Sequence, residues 1–244
     1  RLVEILENAG RTAEALVELS IAQEFFPERF DLLVRLFRTL SRLGMYPEAL
    51  RIAERAIIEN GENFHTWHLL AVSRYGVADM QGAVEACQKA LVHDAGRPEV
   101  HVMLGSAFFA LGRVADATAA YHQALAIDPD SPDARFHIGL IQLMSGQYRE
   151  GWQGFEQRFR REKNRAMRPC RPAWDGTALK GRTLLVMREQ GLGDEIMFSS
   201  CYPQLISQAQ RCFIECEPRL EKLFARPFPG AVFCPLADAR TNAP

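Results

Sequence analysis

The stretch Glu189-Gln190-Gly191-Leu192-Gly193-Asp194 is the part of this chain best equipped for chemistry by residue type and spacing. Two glycines one residue apart let backbone N–H groups come close to an anionic or strongly polar ligand, and a neighbouring carboxylate can take a proton from an attacking hydroxyl. Asp194 is thus a candidate general base, and Gly191, Leu192 and Gly193 form a candidate turn for contacting an acceptor or a phosphate. The same aspartate also stands where a helix amino terminus needs a cap, a role that requires no catalysis. The dinucleotide fingerprint G-x-G-x-x-G is not completed, because Met197 and Phe198 occupy the region of its last glycine, and nicotinamide binding is disfavoured.

Two other sets of residues invite a metal or redox reading. His65 and His68 are three apart, a spacing that could hold a metal, but no third ligand accompanies them and none is expected to bind. The cysteines Cys87, Cys170, Cys201, Cys212, Cys216 and Cys234 contain no C-x-x-C pair. On one strand, Cys212 and Cys216 would be ~13 Å apart, too far for a disulfide. All are expected to be reduced and mostly buried, as in a cytoplasmic protein.

The elements that must position Asp194 follow from the local pattern. Residues 183–187 are a continuous apolar run, the signature of a buried parallel strand, and the glycine turn comes next. A helix then carries Met197, Cys201 and Leu205 on one face, with Pro203 expected to end or kink it. Further strands are expected at 212–216 and 231–233, with a short helix near 220–224 between them. This order suits the opening half of a Rossmann-like, doubly wound α/β domain with a short parallel sheet.

Upstream, the chain repeats itself. Ala15, Ala49, Ala83 and Ala117 recur every 34 residues, and Gly151 continues the series. Gly10, Gly44, Gly112 and Gly146 keep the same interval, with Ala78 in the gap. A period of 34 with small residues in fixed slots identifies tetratricopeptide repeats, helical hairpins that stack into an α-solenoid because none buries its apolar face alone. In the copy starting at Pro98, Gly105 and Ala117 allow close helix approach, Tyr121 wedges against the next repeat and Gly112 accepts a left-handed backbone. The fifth copy drifts: Arg158 replaces the expected alanine, so its second helix faces something other than a further repeat.

First helices of such solenoids line the concave face. His65, His68, Tyr75, Glu99, Phe109, Asp133 and Phe136 are expected to point inward, where aromatic and polar groups together suit an extended protein or peptide partner. Phe109 and Phe136 could equally pack between repeats. The domain boundaries follow: a solenoid at 1–161, a basic proline-containing linker at 162–181, and the α/β part at 182–244. A net charge of -1, 48% hydrophobic and 24% charged residues speak against disorder and against a general affinity for nucleic acid. No apolar run approaches the ~20 residues of a membrane span, and a cytoplasmic location is the expectation. The chain begins at Arg1 rather than at a methionine, so a preceding portion is expected.

The run Tyr148-Arg149-Glu150-Gly151-Trp152, the block from Pro172 through Trp174-Asp175-Gly176 and Gly181-Arg182-Thr183 to Gly193-Asp194, and Glu215-Cys216-Glu217-Pro218 together resemble a known family. They are similar to bacterial tetratricopeptide proteins with a carboxy-terminal heptosyltransferase-like (GT-B) glycosyltransferase domain. The resemblance implies two facing Rossmann-like domains, an acceptor side with Asp194 as general base, and a nucleotide-sugar donor bound by a second domain. That second domain is not in the sequence, so this fragment is expected to lack activity and a cofactor of its own. The asparagine ladder of the eukaryotic O-linked sugar transferases is replaced by Arg35, Leu69, Met103 and His137. The alternative is a non-catalytic scaffold for protein–protein interaction.

Overall fold

A computed structural model describes residues 2–26, 29–161, 173–179, 181–188 and 191–234. It divides into two compact units, Arg1–Ala166 and Met167–Pro244. The first unit is a stack of helical hairpins. Its pairs are α1 (Leu2–Asn8) with α2 (Thr12–Phe25), α3 (Phe30–Arg42) with α4 (Tyr46–Asn60), and α5 (Phe64–Gly76) with α6 (Met80–His93). Then come α7 (Pro98–Ala110) with α8 (Val114–Ile127), and α9 (Pro132–Met144) with α10 (Tyr148–Phe155).

The 34-residue slots do what their residue types require. Gly10, Gly44, Gly112 and Gly146 all have φ between 72° and 80°, the left-handed region that closes a helix. At Gly112 the closure is complete: its N–H donates to the Phe109 carbonyl and the Arg113 N–H reaches back to the Phe108 carbonyl, both at 2.9 Å. Ala78 takes the same turn with φ 62° and is a non-glycine residue doing so. Ala15, Ala49, Ala83 and Ala117 are completely buried where paired helices approach. A Cβ on Gly105 would lie 2.6 Å from the Tyr121 ring, so the absence of a side chain is what admits that wedge. One continuous apolar core runs through these hairpins from Leu19 to Tyr121.

The fifth hairpin ends differently. A Cβ on Gly139 would come within 2.7 Å of the Gly154 backbone, so α9 and α10 touch main chain to main chain. The chain then tightens into a 3-10 turn, Glu156–Phe159. Arg158 folds over this end: its guanidinium lies 4.0 Å from the Phe159 ring centre and 4.4 Å from that of Phe155. It also donates to the Phe155 carbonyl at 3.1 Å. The residue that breaks the alanine series thus caps its own hairpin.

The second unit is a small parallel sheet with helices. Its elements are β1 (Thr183–Val186), α11 (Leu192–Phe198), α12 (Tyr202–Gln208), β2 (Arg211–Glu215), α13 (Pro218–Ala225) and β3 (Ala231–Cys234). The strand order is β1-β2-β3, with Leu184 opposite Cys212 and Ile214 opposite Phe233. A doubly wound fold requires the strand order to reverse, and the described strands run in one direction without a reversal. The structure therefore establishes the short parallel sheet expected for the α/β part. The expected single helix after the turn is broken: α11 stops at Phe198, a 3-10 turn follows, and Pro203 sits in the first turn of α12, where its missing N–H costs nothing. Tyr202, Phe224, Phe228 and Phe233 form an aromatic cluster beside Ile214 and Leu220. Burial pushes the Tyr202 phenol up to about 12.

Cys87, Cys212 and Cys216 are buried free thiols, Cys234 is half-buried and Cys201 is exposed, while Cys170 lies outside the described residues. Most of the basic linker lies outside them too. No described helix is long and apolar enough to cross a membrane.

Candidate functional site

The solenoid opens a groove of about 560 Å³ between α5, α7 and α9. Glu99, Met103 and Ser106 fall at i, i+4 and i+7 on α7, while Asp133 and His137 repeat the first two of these positions on α9. The 34-residue register therefore sets Glu99 with Asp133 and Met103 with His137. Tyr75 closes the other side from the end of α5, and Val102, Pro98 and Pro132 supply apolar lining.

Tyr75, Glu99 and Asp133, all expected on the concave face, do converge here. The other expected residues lie elsewhere. Phe109 packs against the solenoid core. Phe136 stands against Phe155, with ring centres 5.5 Å apart, and under the Arg161 guanidinium at 4.3 Å. His68 stacks on Phe64 at 5.6 Å, and that burial holds its imidazole below the ordinary range while Glu99 acts in the opposite sense. His65 meets the edge of the same Phe64 ring at 5.4 Å. Among the described residues no group of three or more metal-ligating side chains is assembled.

Several groove residues were not singled out for this role by type. Ser106 and His137 are held by Tyr121, whose ring stacks on His137 at 5.1 Å with an interplanar angle of 3° and whose hydroxyl is 3.3 Å from the Ser106 hydroxyl. Burial pushes the Tyr121 phenol up to about 12, while its hydrogen bond with Ser106 acts in the opposite sense. Arg161, the last residue of the expected solenoid, is buried in the groove wall. Its Nε lies 2.5 Å from Asp133 Oδ1. Asp128 adds a third carboxylate.

In the second unit, Asp194 Oδ2 accepts the Gly191 N–H at 3.2 Å, and the Gly191 carbonyl accepts from both Asp194 and Glu195. Asp194 is thus tied to its own turn, with Leu192 beginning a helix of seven residues and Gly193 exposed beside it. The denser chemistry lies at the carboxyl ends of β1 and β2. There Arg188 Nε is 2.6 Å from the buried Glu195 carboxylate and Nη1 is 2.9 Å from Glu217. The Arg188 N–H donates to Glu215 Oε2 at 3.0 Å, and the Glu217 N–H donates to Glu195 Oε2 at 2.9 Å. The Arg188 guanidinium with two carboxylates, and its backbone N–H with a third, therefore bind the end of β1 to α11 and to the end of β2.

Comparison with known proteins matches residues 105–146 to the family model described as TPR repeat. Solved structures extend the likeness. MamA superimposes with a TM-score of 0.56 at 18% identity, over 68% of this chain and 98% of that one. TTC0263, a thermophilic TPR protein of Thermus thermophilus, also gives 0.56, at 21% identity over 68% of this chain and 91% of its own. The solenoid has the tetratricopeptide-repeat fold. A curated relative, Protein FlbA of Caulobacter vibrioides, is 28% identical over 238 residues, covering 91% of this chain. The chain spans 40% of the length of that relative. None of these matches carries a glycosyltransferase description.

Proposed function

We propose that this chain is a tetratricopeptide scaffold that binds an extended segment of a partner protein in the groove between α5, α7 and α9. The observation that carries this is the convergence of Tyr75, Glu99, Ser106, Asp133 and His137 on one concave surface from three successive first helices. A ligand in extended form meets side chains from each repeat in turn, and an exposed ring with neighbouring hydrogen-bonding groups gives both contact area and orientation. Panning a displayed library of extended peptides against the whole chain tests the reading. Selected peptides should lose binding to Tyr75→Ala while the helical signal is unchanged. Equal retention by wild type and variant would remove the groove from the interaction.

A second reading assigns the α/β unit to the acceptor side of a sugar-transfer site in a longer polypeptide, with a nucleotide-sugar bound by another domain. Its support is the parallel strand, glycine turn and helix sequence that brings Asp194 to the carboxyl end of β1, together with the resemblance of the block ending there. In a longer polypeptide that transfers sugar, Asp194→Asn would abolish transfer without loss of structure; full activity would leave Asp194 as a cap. The scaffold reading is the stronger one, because the hydrogen bond from Gly191 already accounts for Asp194. Reduced thiols among the described residues support a cytoplasmic setting for either reading.

A further inference from the structure

We propose that the groove is specific for a partner segment carrying a positively charged side chain, arginine above all, seated against Glu99 and Asp128. This rests on the scaffold reading and names the chemistry of its partner.

The chain already contains a demonstration of the chemistry. At one end of the groove the Arg161 guanidinium is buried, paired with Asp133 and laid over the Phe136 ring at 4.3 Å. A planar cation that stacks on an aromatic face while meeting a carboxylate is what arginine does better than lysine. Arg161 satisfies Asp133; Glu99 and Asp128 share the lining with it, Glu99 within electrostatic reach of Arg97 and His68, neither of which lines the groove. Among the described residues the Glu99 carboxylate makes no hydrogen bond or ion pair, and the Asp128 carboxylate accepts only the Asp130 N–H at 3.1 Å. The Tyr75 ring, 38% exposed on the same lining, offers a second aromatic face to the incoming group.

The carboxylates are not an accident of a generally acidic surface, since the whole chain carries a net charge of -1. They follow the repeat register: Glu99 and Asp133 open α7 and α9 at the same slot, 34 residues apart. With Asp133 neutralised by Arg161, an incoming peptide meets the charge of Glu99 at that slot together with Asp128, which favours a cation and rejects an anion.

The test measures fluorescence anisotropy of three labelled nine-residue peptides with the whole chain: alanine alternating with arginine, with glutamine and with glutamate. The arginine peptide should bind most tightly and the glutamate peptide least. Glu99→Gln combined with Asp128→Asn should weaken the arginine peptide by about three- to ten-fold while leaving circular dichroism unchanged. Glu85→Gln, an exposed carboxylate on α6 that does not line the groove, is the control and should change nothing. Added salt should weaken the arginine peptide alone. If Glu85→Gln costs as much as the double variant, the attraction is diffuse and the proposal falls. Equal affinity for the arginine and glutamine peptides, with both lost in Tyr75→Ala, overturns the charge preference and leaves the groove standing. Peptide binding that survives Tyr75→Ala intact overturns the groove reading itself.

Discussion

Ala78 shows what a repeat register demands of one residue. Four turns in its slot series use glycine at positive φ, and Ala78 adopts φ 62° because the hairpin geometry leaves no other path. An L-residue in that region costs ~1–2 kcal/mol, and the greater freedom of glycine in the unfolded chain returns part of it. Ala78→Gly is therefore expected to stabilise the solenoid by about 0.5–1 kcal/mol in urea titration, and Gly112→Ala to destabilise it by a similar amount. A destabilised Ala78→Gly would mean that the methyl group makes a contact that outweighs the strain. His68 supplies the pH dependence. Its imidazole is held below the ordinary 6.5 chiefly by burial, so the unfolded chain takes up a proton before the fold does. The stability of the neutral form is complete above that ordinary value and is lost as pH falls through it towards the depressed folded one. Thermal unfolding at about pH 7.5 and about pH 5.5 should show a steeper loss for wild type than for His68→Gln. Parallel losses would show that the Phe64 stack does not disfavour the imidazolium.

At the scale of the element, legibility tracked how many constraints a slot carried. The hairpins could be read because small residues recur at the Ala117, Gly105 and Gly112 slots, and the period multiplies that evidence. Tyr75, Glu99 and Asp133 were legible as groove residues from the register alone. Phe109 and Phe136 were not, because an aromatic side chain at a half-exposed slot can turn into apolar packing: Phe109 lies against the solenoid core and Phe136 against Phe155 of its own hairpin. Arg161 was missed because its carboxylate partner Asp133 lies 28 residues away, beyond any local pattern, and Arg188 because its guanidinium joins Glu195 on α11 to Glu217 past β2, a pairing that only the folded sheet brings together. Arg188 carries the clearest prediction. Removing it leaves the Glu195 carboxylate buried without its cation, so Arg188→Met should destabilise the α/β unit by about 3–5 kcal/mol. Adding Glu195→Gln to that variant should recover part of the loss, since the uncompensated charge is then gone. A single variant as stable as wild type would show that water replaces the guanidinium at no cost.

For the whole molecule, the two units have separate apolar cores, one built mainly from alanine and leucine at repeat slots and the other from the Tyr202, Phe224 and Ile214 region. Separate cores give separate cooperativity. A solenoid unfolds as coupled neighbouring repeats, whereas a small sheet with one core unfolds in a single step, so one transition is not expected to describe the chain. Substitutions sort the transitions. Arg188→Met should move only the transition reported by near-ultraviolet signals of the Tyr202 cluster, and Ala78→Gly only the one reported by far-ultraviolet helical signal, each by the amount argued above. The groove belongs to the solenoid, so peptide binding should raise the helical transition and leave the other in place, because a ligand stabilises only the unit whose folded form it binds. If both transitions shifted together under Arg188→Met, the units would share one folding equilibrium, and the scaffold would have to be treated as a single body in which the sheet contributes to groove affinity.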